Sequence, residues 1–258
     1  MPTEETLDKV DLALARSALY GVLASAFRHP DNPLCRTFAG QEEFDALLAA
    51  LLCAGGRSSE ALKNAGTRLR EAARNTSHAE RKAAYVRLFG HTARGEAPPY
   101  ETEYGTGGPF FQPQEMSDIA GFYRAFGLDV DPLKHERLDH ISCECEFMCF
   151  LCAKEAYAFQ SSGDGTAAEV SRAQRLFLRD HMGAFARTFF AGVSRHSPAP
   201  WHAAAADLGA AFIDAECERL GLALGRRYLT LRPVEELAVP MACGSCEGAC
   251  ASAPPQEG

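Results

Sequence analysis

Positive charge is scarce in this chain. Lys and Arg number 26 against 34 Asp and Glu, a formal net charge of −8 at pH 7. Binding to phosphate backbones needs a basic face, and no basic patch stands out, so nucleic acid is not an expected partner. An acidic field suits a basic peptide or a cationic segment instead. Long apolar runs are also missing. The longest, Ala18–Phe27, is too short to span a bilayer and contains Ser25. The N-terminal MPTEETLDKV is acidic where a signal peptide would be basic. These features predict a cytoplasmic protein that does not insert into a membrane. No G-x-S-x-G, P-loop or H-E-x-x-H occurs, so the common hydrolase, nucleotide and zinc-protease signatures are absent.

Ala, Leu, Arg and Glu dominate, and β-branched residues are few. The 47% hydrophobic content suffices for a sizeable core, and its period is near 3.6 almost throughout. The spacing predicts helices over Val10–Arg28, Glu42–Leu52 and Ser58–Asn75. Ser77 and Glu80 form a capping box opening a helix to about Phe89. Further helices are predicted over Gln114–Phe126, Leu133–Gln160, Ala167–His181, onward to about Val193, and over Trp201–Leu224. The expectation is an all-α, single-domain helical bundle of roughly ten helices over residues 1–232, followed by a flexible Cys-containing tail, 233–258. A long loop, about 90–113, interrupts the bundle. It holds Pro98, Pro99, Gly105, Gly107, Gly108, Pro109 and Pro113, too many breakers for a helix. It also carries Tyr100, Tyr104, Phe110 and Phe111, more aromatics than a plain linker would. Such a segment is expected to be functional.

Three constellations carry candidate chemistry. Glu136, His140 and Glu144 lie at i, i+4 and i+8 on the predicted long helix, a spacing open to a proton relay, a metal edge or a solvated face with local ion pairs. Cys145, Cys149 and Cys152 also lie near one another there, most simply as thiols on a core face. Nearer the C-terminus, Cys243, Cys246 and Cys250 form a C-x2-C-x3-C array. Thiolates so spaced suit zinc or an iron–sulfur cluster, with a fourth ligand still to be found. The alternatives are a redox pair or incidental thiols. A metal or iron–sulfur binding protein acting through that array is therefore a second functional reading, and a helical enzyme using the Glu136/His140/Glu144 row a third.

The residues also resemble a known family. Pro98-Pro99-Tyr100 with Tyr104 precedes a helix ending in FYRAFGL (122–128). Leu138-Asp139-His140 then opens a helix with Glu146-Phe147-Met148, and a tryptophan-led helix, Trp201–Leu220, closes the pattern. Over roughly residues 10–230 this resembles the TorD/DmsD/NarJ group of redox-enzyme maturation chaperones. The resemblance implies a non-enzymatic, all-helical cytoplasmic chaperone with no required cofactor, either monomer or homodimer. Its partner would be the catalytic subunit of a molybdoenzyme, bound through a twin-arginine signal peptide. A basic patch followed by an apolar stretch calls for carboxylates, aromatic faces and a greasy groove. Tyr100, Glu101, Glu103, Tyr104, Asp139, His140 and Glu144 are the expected peptide-binding residues.

Overall fold

The computed structural model describes residues 4–37, 40–54, 56–90, 94–106, 112–129, 136–161 and 164–233. Among these, nine α-helices carry the fold and no strand forms beyond isolated bridges. They are α1 (Glu4–Ala26), α2 (Gln41–Ala54), α3 (Ser59–Asn75), α4 (His78–Phe89), α5 (Gln112–Ala125), α6 (Ile141–Gln160), α7 (Asp164–Asp180), α8 (Met182–His196) and α9 (Pro200–Leu220). The capping box forms as expected. The Ser77 hydroxyl accepts from the Glu80 amide, and the Glu80 carboxylate accepts from the Ser77 amide at 2.8 Å.

One continuous core runs through the molecule. Its largest members include Trp201, Tyr20, Phe27, Phe177, Phe185, Phe189, Phe190 and Phe212. α1 packs along α6, while α9 packs on α3 and α8. The α6 stripe Ile141, Cys145, Met148, Cys152 and Ala156 is buried, so Cys145 and Cys152 act as core thiols. A charged knot crosses the same core. The Arg16 guanidinium donates to Glu216 and Glu155 at 2.8 Å and to Gln174 at 2.6 Å, joining α1 to α6, α7 and α9.

Two boundaries differ from the sequence expectation, and both matter for the site. α6 starts at Ile141, not near Leu133. Residues 136–140 are held out of the helix by the loop before α5. The Ile141 amide donates to the Pro99 carbonyl at 2.8 Å, the Glu101 amide donates to the Asp139 carbonyl at 2.9 Å, and Tyr100 pairs with His140 as an antiparallel bridge. His140 is consequently the N-cap of α6, with extended backbone. The expected row Glu136–His140–Glu144 on one helix face does not exist, because α6 begins only at Ile141 and Glu136 lies outside it. At the other end, α9 stops at Gly221, whose left-handed conformation (φ 62°) closes the helix. Residues 222–233 then run back across the molecule as an extended strap.

Candidate functional site

Loop 98–105 and segment 136–141 meet as the sequence suggested, but several of the expected residues are used in holding the loop. Asp139 is fully buried. Its carboxylate accepts from Arg137 Nε and Nη2 at 3.0 and 2.8 Å, and from the Thr102 hydroxyl and amide at 2.8 and 3.2 Å. Three of these donors converge on Oδ2 and one on Oδ1, so the carboxylate is committed to the loop and to Arg137. Tyr104 is buried too: its hydroxyl donates to the Pro98 carbonyl at 2.7 Å and its ring lies 5.5 Å from that of Phe185. Glu103 pairs with Arg94 at 2.5 Å.

His140 is buried and neutral. Its Nδ1 accepts from the Ser142 amide at 3.0 Å, which places the ring proton on Nε2, an atom with no hydrogen-bond partner. Burial first, then the Arg28 and Arg137 charges, hold its pKa down at about 3. The ring therefore does not titrate between pH 6 and 8, and a pH response based on His140 is not expected.

Glu101, Glu144 and His181 form a second buried group. Glu101 Oε1 lies 3.1 Å from His181 Nδ1. Neither Glu144 oxygen meets a donor from any other group, and burial together with the neighbouring Glu101 carboxylate pushes its pKa well above the carboxylate range. A proton carried by Glu144 and donated to Glu101 accounts for both facts.

The open surface nearby is a groove of about 690 Å³ between the α1–α2 connection and the α5–α6 face. Its apolar walls include Tyr123, Leu128, Leu138, Phe147 and Phe150, and its acidic lining residues are Asp129, Glu136 and Glu146. Tyr100 joins this groove to the loop. Its hydroxyl lies 3.5 Å from Glu136, and the Arg137 guanidinium stacks 4.2 Å over its ring. Burial raises the Glu136 pKa. Cys143, also in the lining, is pushed by burial to about 11, so it stays an unreactive thiol at neutral pH. Sequence reasoning missed Glu136 as a lining residue, Arg137 as the partner of Asp139, His181, and the α5–α6 aromatics. Only Arg137, two residues from Asp139 and opposite in charge, left a local signal.

A profile of the nitrate reductase delta subunit family matches residues 56–191, slightly more than half of the chain. The chain belongs to this family. NarJ-type chaperones of molybdoenzyme maturation, it follows, are its kin, and the family assists assembly without catalysis. The perchlorate reductase assembly chaperone protein of Dechloromonas aromatica (strain RCB) is 29% identical over 219 residues, 84% of this chain and 95% of that protein. The family match spans loop 98–105, α5 and α6, and so the α5–α6 wall of the groove. The Arg28–Leu34 wall and the strap lie outside the match. Cys243, Cys246 and Cys250 lie outside the described residues. Among the described residues no group of three or more His, Cys, Asp or Glu is placed to hold a metal, and no helix is long and apolar enough to cross a membrane.

Proposed function

We propose that this NarJ-type protein is a cytoplasmic chaperone for the catalytic-subunit precursor of a molybdopterin reductase. It binds the precursor's twin-arginine leader while cofactor is inserted and before export. The observation that carries this reading is the groove beside Tyr100, because it pairs apolar walls with the Glu136 carboxylate, while Arg28, also in the lining, pairs with Glu146. A leader presents the complementary pattern: guanidinium groups first, then an apolar stretch. Leu128, Leu138 and Phe150 would take the apolar stretch. Glu136 would pair with a guanidinium group, and the Tyr100 face already accommodates one guanidinium, that of Arg137. Tyr104, Asp139, His140 and Glu144 serve this function by fixing the loop; Tyr100 and Glu136 serve it by contact. The relative's name points to an oxyanion reductase as the class of client.

The test is titration of a labelled leader-type peptide followed by fluorescence anisotropy. Glu136→Lys should weaken binding by about tenfold or more, since a like charge replaces a pairing carboxylate. Raising salt should weaken the parent further. Binding that ignores both changes would remove the groove from the account.

A further inference from the structure

The strap after α9 reads Gly225-Arg226-Arg227-Tyr228-Leu229-Thr230-Leu231-Arg232. Two arginines precede an apolar–aromatic run, so this stretch has the composition that the proposed leader would have. It lies extended against the loop already described. The Gly105 amide donates to the Thr230 carbonyl at 2.9 Å, the Arg232 amide donates to the Glu103 carbonyl at 2.8 Å, and Tyr104 and Leu231 face each other as an antiparallel pair. Arg232 pairs with Glu115 at 2.6 Å, and Arg94 donates to the Arg232 carbonyl at 2.6 Å.

The strap is held by its backbone and by Arg232, with Leu229 packed against the core and the Arg195 guanidinium 5.6 Å over the Tyr228 ring. Arg226 and Arg227 are exposed, the latter near enough to Asp214 for its charge to act on that carboxylate. Tyr228 is 70% exposed and Leu231 39%. An element serving only as a brace would be expected to bury its large apolar groups. Between strap, loop and α8 lies a cavity of about 400 Å³ whose lining includes Glu101 and Glu115; Glu115 has one buried oxygen that no donor satisfies.

We propose that backbone edge 103–105 is a docking edge for an extended, arginine-bearing segment of the client, and that strap 226–232 occupies it in the free chaperone. This inference rests on the leader-binding reading above. The incoming segment would take over the Gly105 amide and the Glu103 carbonyl by strand addition. Its guanidinium would replace that of Arg232 on Glu115. The edge and the groove lie close enough for one leader. Tyr100 and Gly105 are five residues apart, so at most about 18 Å of chain separates them. The strap lowers apparent affinity by the fraction of time it stays docked, which would favour clients able to displace it.

The probe is a synthetic peptide with two arginines followed by a leucine- and alanine-rich run. Hydrogen exchange is measured on the full chain with and without saturating peptide. Arg232 amide protection should be lost while Gly105 amide protection persists, because the new strand covers the edge. Arg232→Pro removes the amide and the ion pair together and should bind the peptide at least about fivefold tighter. Arg232→Ala keeps the amide and should shift affinity in the same direction, covering the case in which Pro disturbs folding. Peptide binding with Arg232 protection intact and equal affinity in the variants would overturn this proposal and leave the leader-binding reading standing. No binding by parent or variants would overturn both.

Discussion

Glu144 sits in the first turn of α6 behind Glu101, with neither oxygen facing a donor other than a proton shared with that neighbour. Its pKa is raised, so the folded chain keeps a proton that the unfolded chain releases above roughly pH 4.3. The contribution to stability is full below that value and is lost as pH rises through the folded pKa. Glu144→Gln keeps the hydrogen-bond donor and removes the titration. The variant should gain thermal stability over the parent at about pH 8 and little at about pH 5; a constant difference across that range would refute the shared proton. His140 gives the complementary case. Its Nδ1 caps α6, so His140→Ala should cost about 0.5–2 kcal/mol in urea unfolding. With its pKa already near 3, peptide affinity should show no His140-dependent step between about pH 6 and pH 8. At this scale the sequence identified which residues gather but not what each does. Tyr104 and Asp139 looked like ligand contacts because aromatic and acidic side chains in a proline-rich loop suggest an open surface. Their partners, Phe185, Thr102 and the Pro98 carbonyl, become visible only once the loop has folded back.

At the scale of elements, α1 shows how one side chain couples four helices. Burial alone would raise the Glu216 pKa, yet Arg16 and Arg219 hold it near 2, so the carboxylate stays ionised in the core. Arg16→Met keeps much of the volume but leaves Glu216 and Glu155 short of a counter-charge. Such a loss costs about 3–5 kcal/mol, to be read as a lower urea midpoint. A cost below about 1 kcal/mol would mean that water or Arg219 replaces the guanidinium. Most helices were legible because each carries an uninterrupted apolar stripe and a stop signal; Ser77 and Glu80 even announce the start of α4. Two ends were misread. Residues 136–140 and 222–224 continue a helical period, but hydrogen bonds end the helix before each, tertiary ones at α6 and local cap bonds at α9. For α6 the loop carbonyl of Pro99 takes the Ile141 amide; for α9 the Gly221 turn closes the helix onto the Cys217 and Glu218 carbonyls.

For the molecule as a whole, a net charge of −8 sets a background attraction for any basic segment, and that background alone cannot distinguish a leader from other cationic chains. Discrimination has to come from geometry. Beside the groove, the Tyr100 ring carries the Arg137 guanidinium on its face, and its hydroxyl lies 3.5 Å from the Glu136 carboxylate. A leader guanidinium that takes the place of Arg137 can stack on the ring while donating to the carboxylate; an ammonium has no plane to stack and makes only the ion pair and a less specific cation–π contact. Replacing both arginines of the leader peptide by lysine therefore preserves charge but removes stacking and bidentate pairing. The expected loss is about 1–2 kcal/mol, or roughly five- to thirtyfold in Kd, for the parent protein. The same replacement should cost much less in Tyr100→Leu, where no ring remains to stack on. Stability provides an independent readout, because a ligand that binds only the folded chain at about 100 times its Kd adds roughly 2.7 kcal/mol. The arginine peptide should raise the thermal midpoint more than the lysine peptide at equal concentration. If the two peptides bind and stabilise alike, recognition is by net charge alone, and the stacked Tyr100 geometry is not what selects the client.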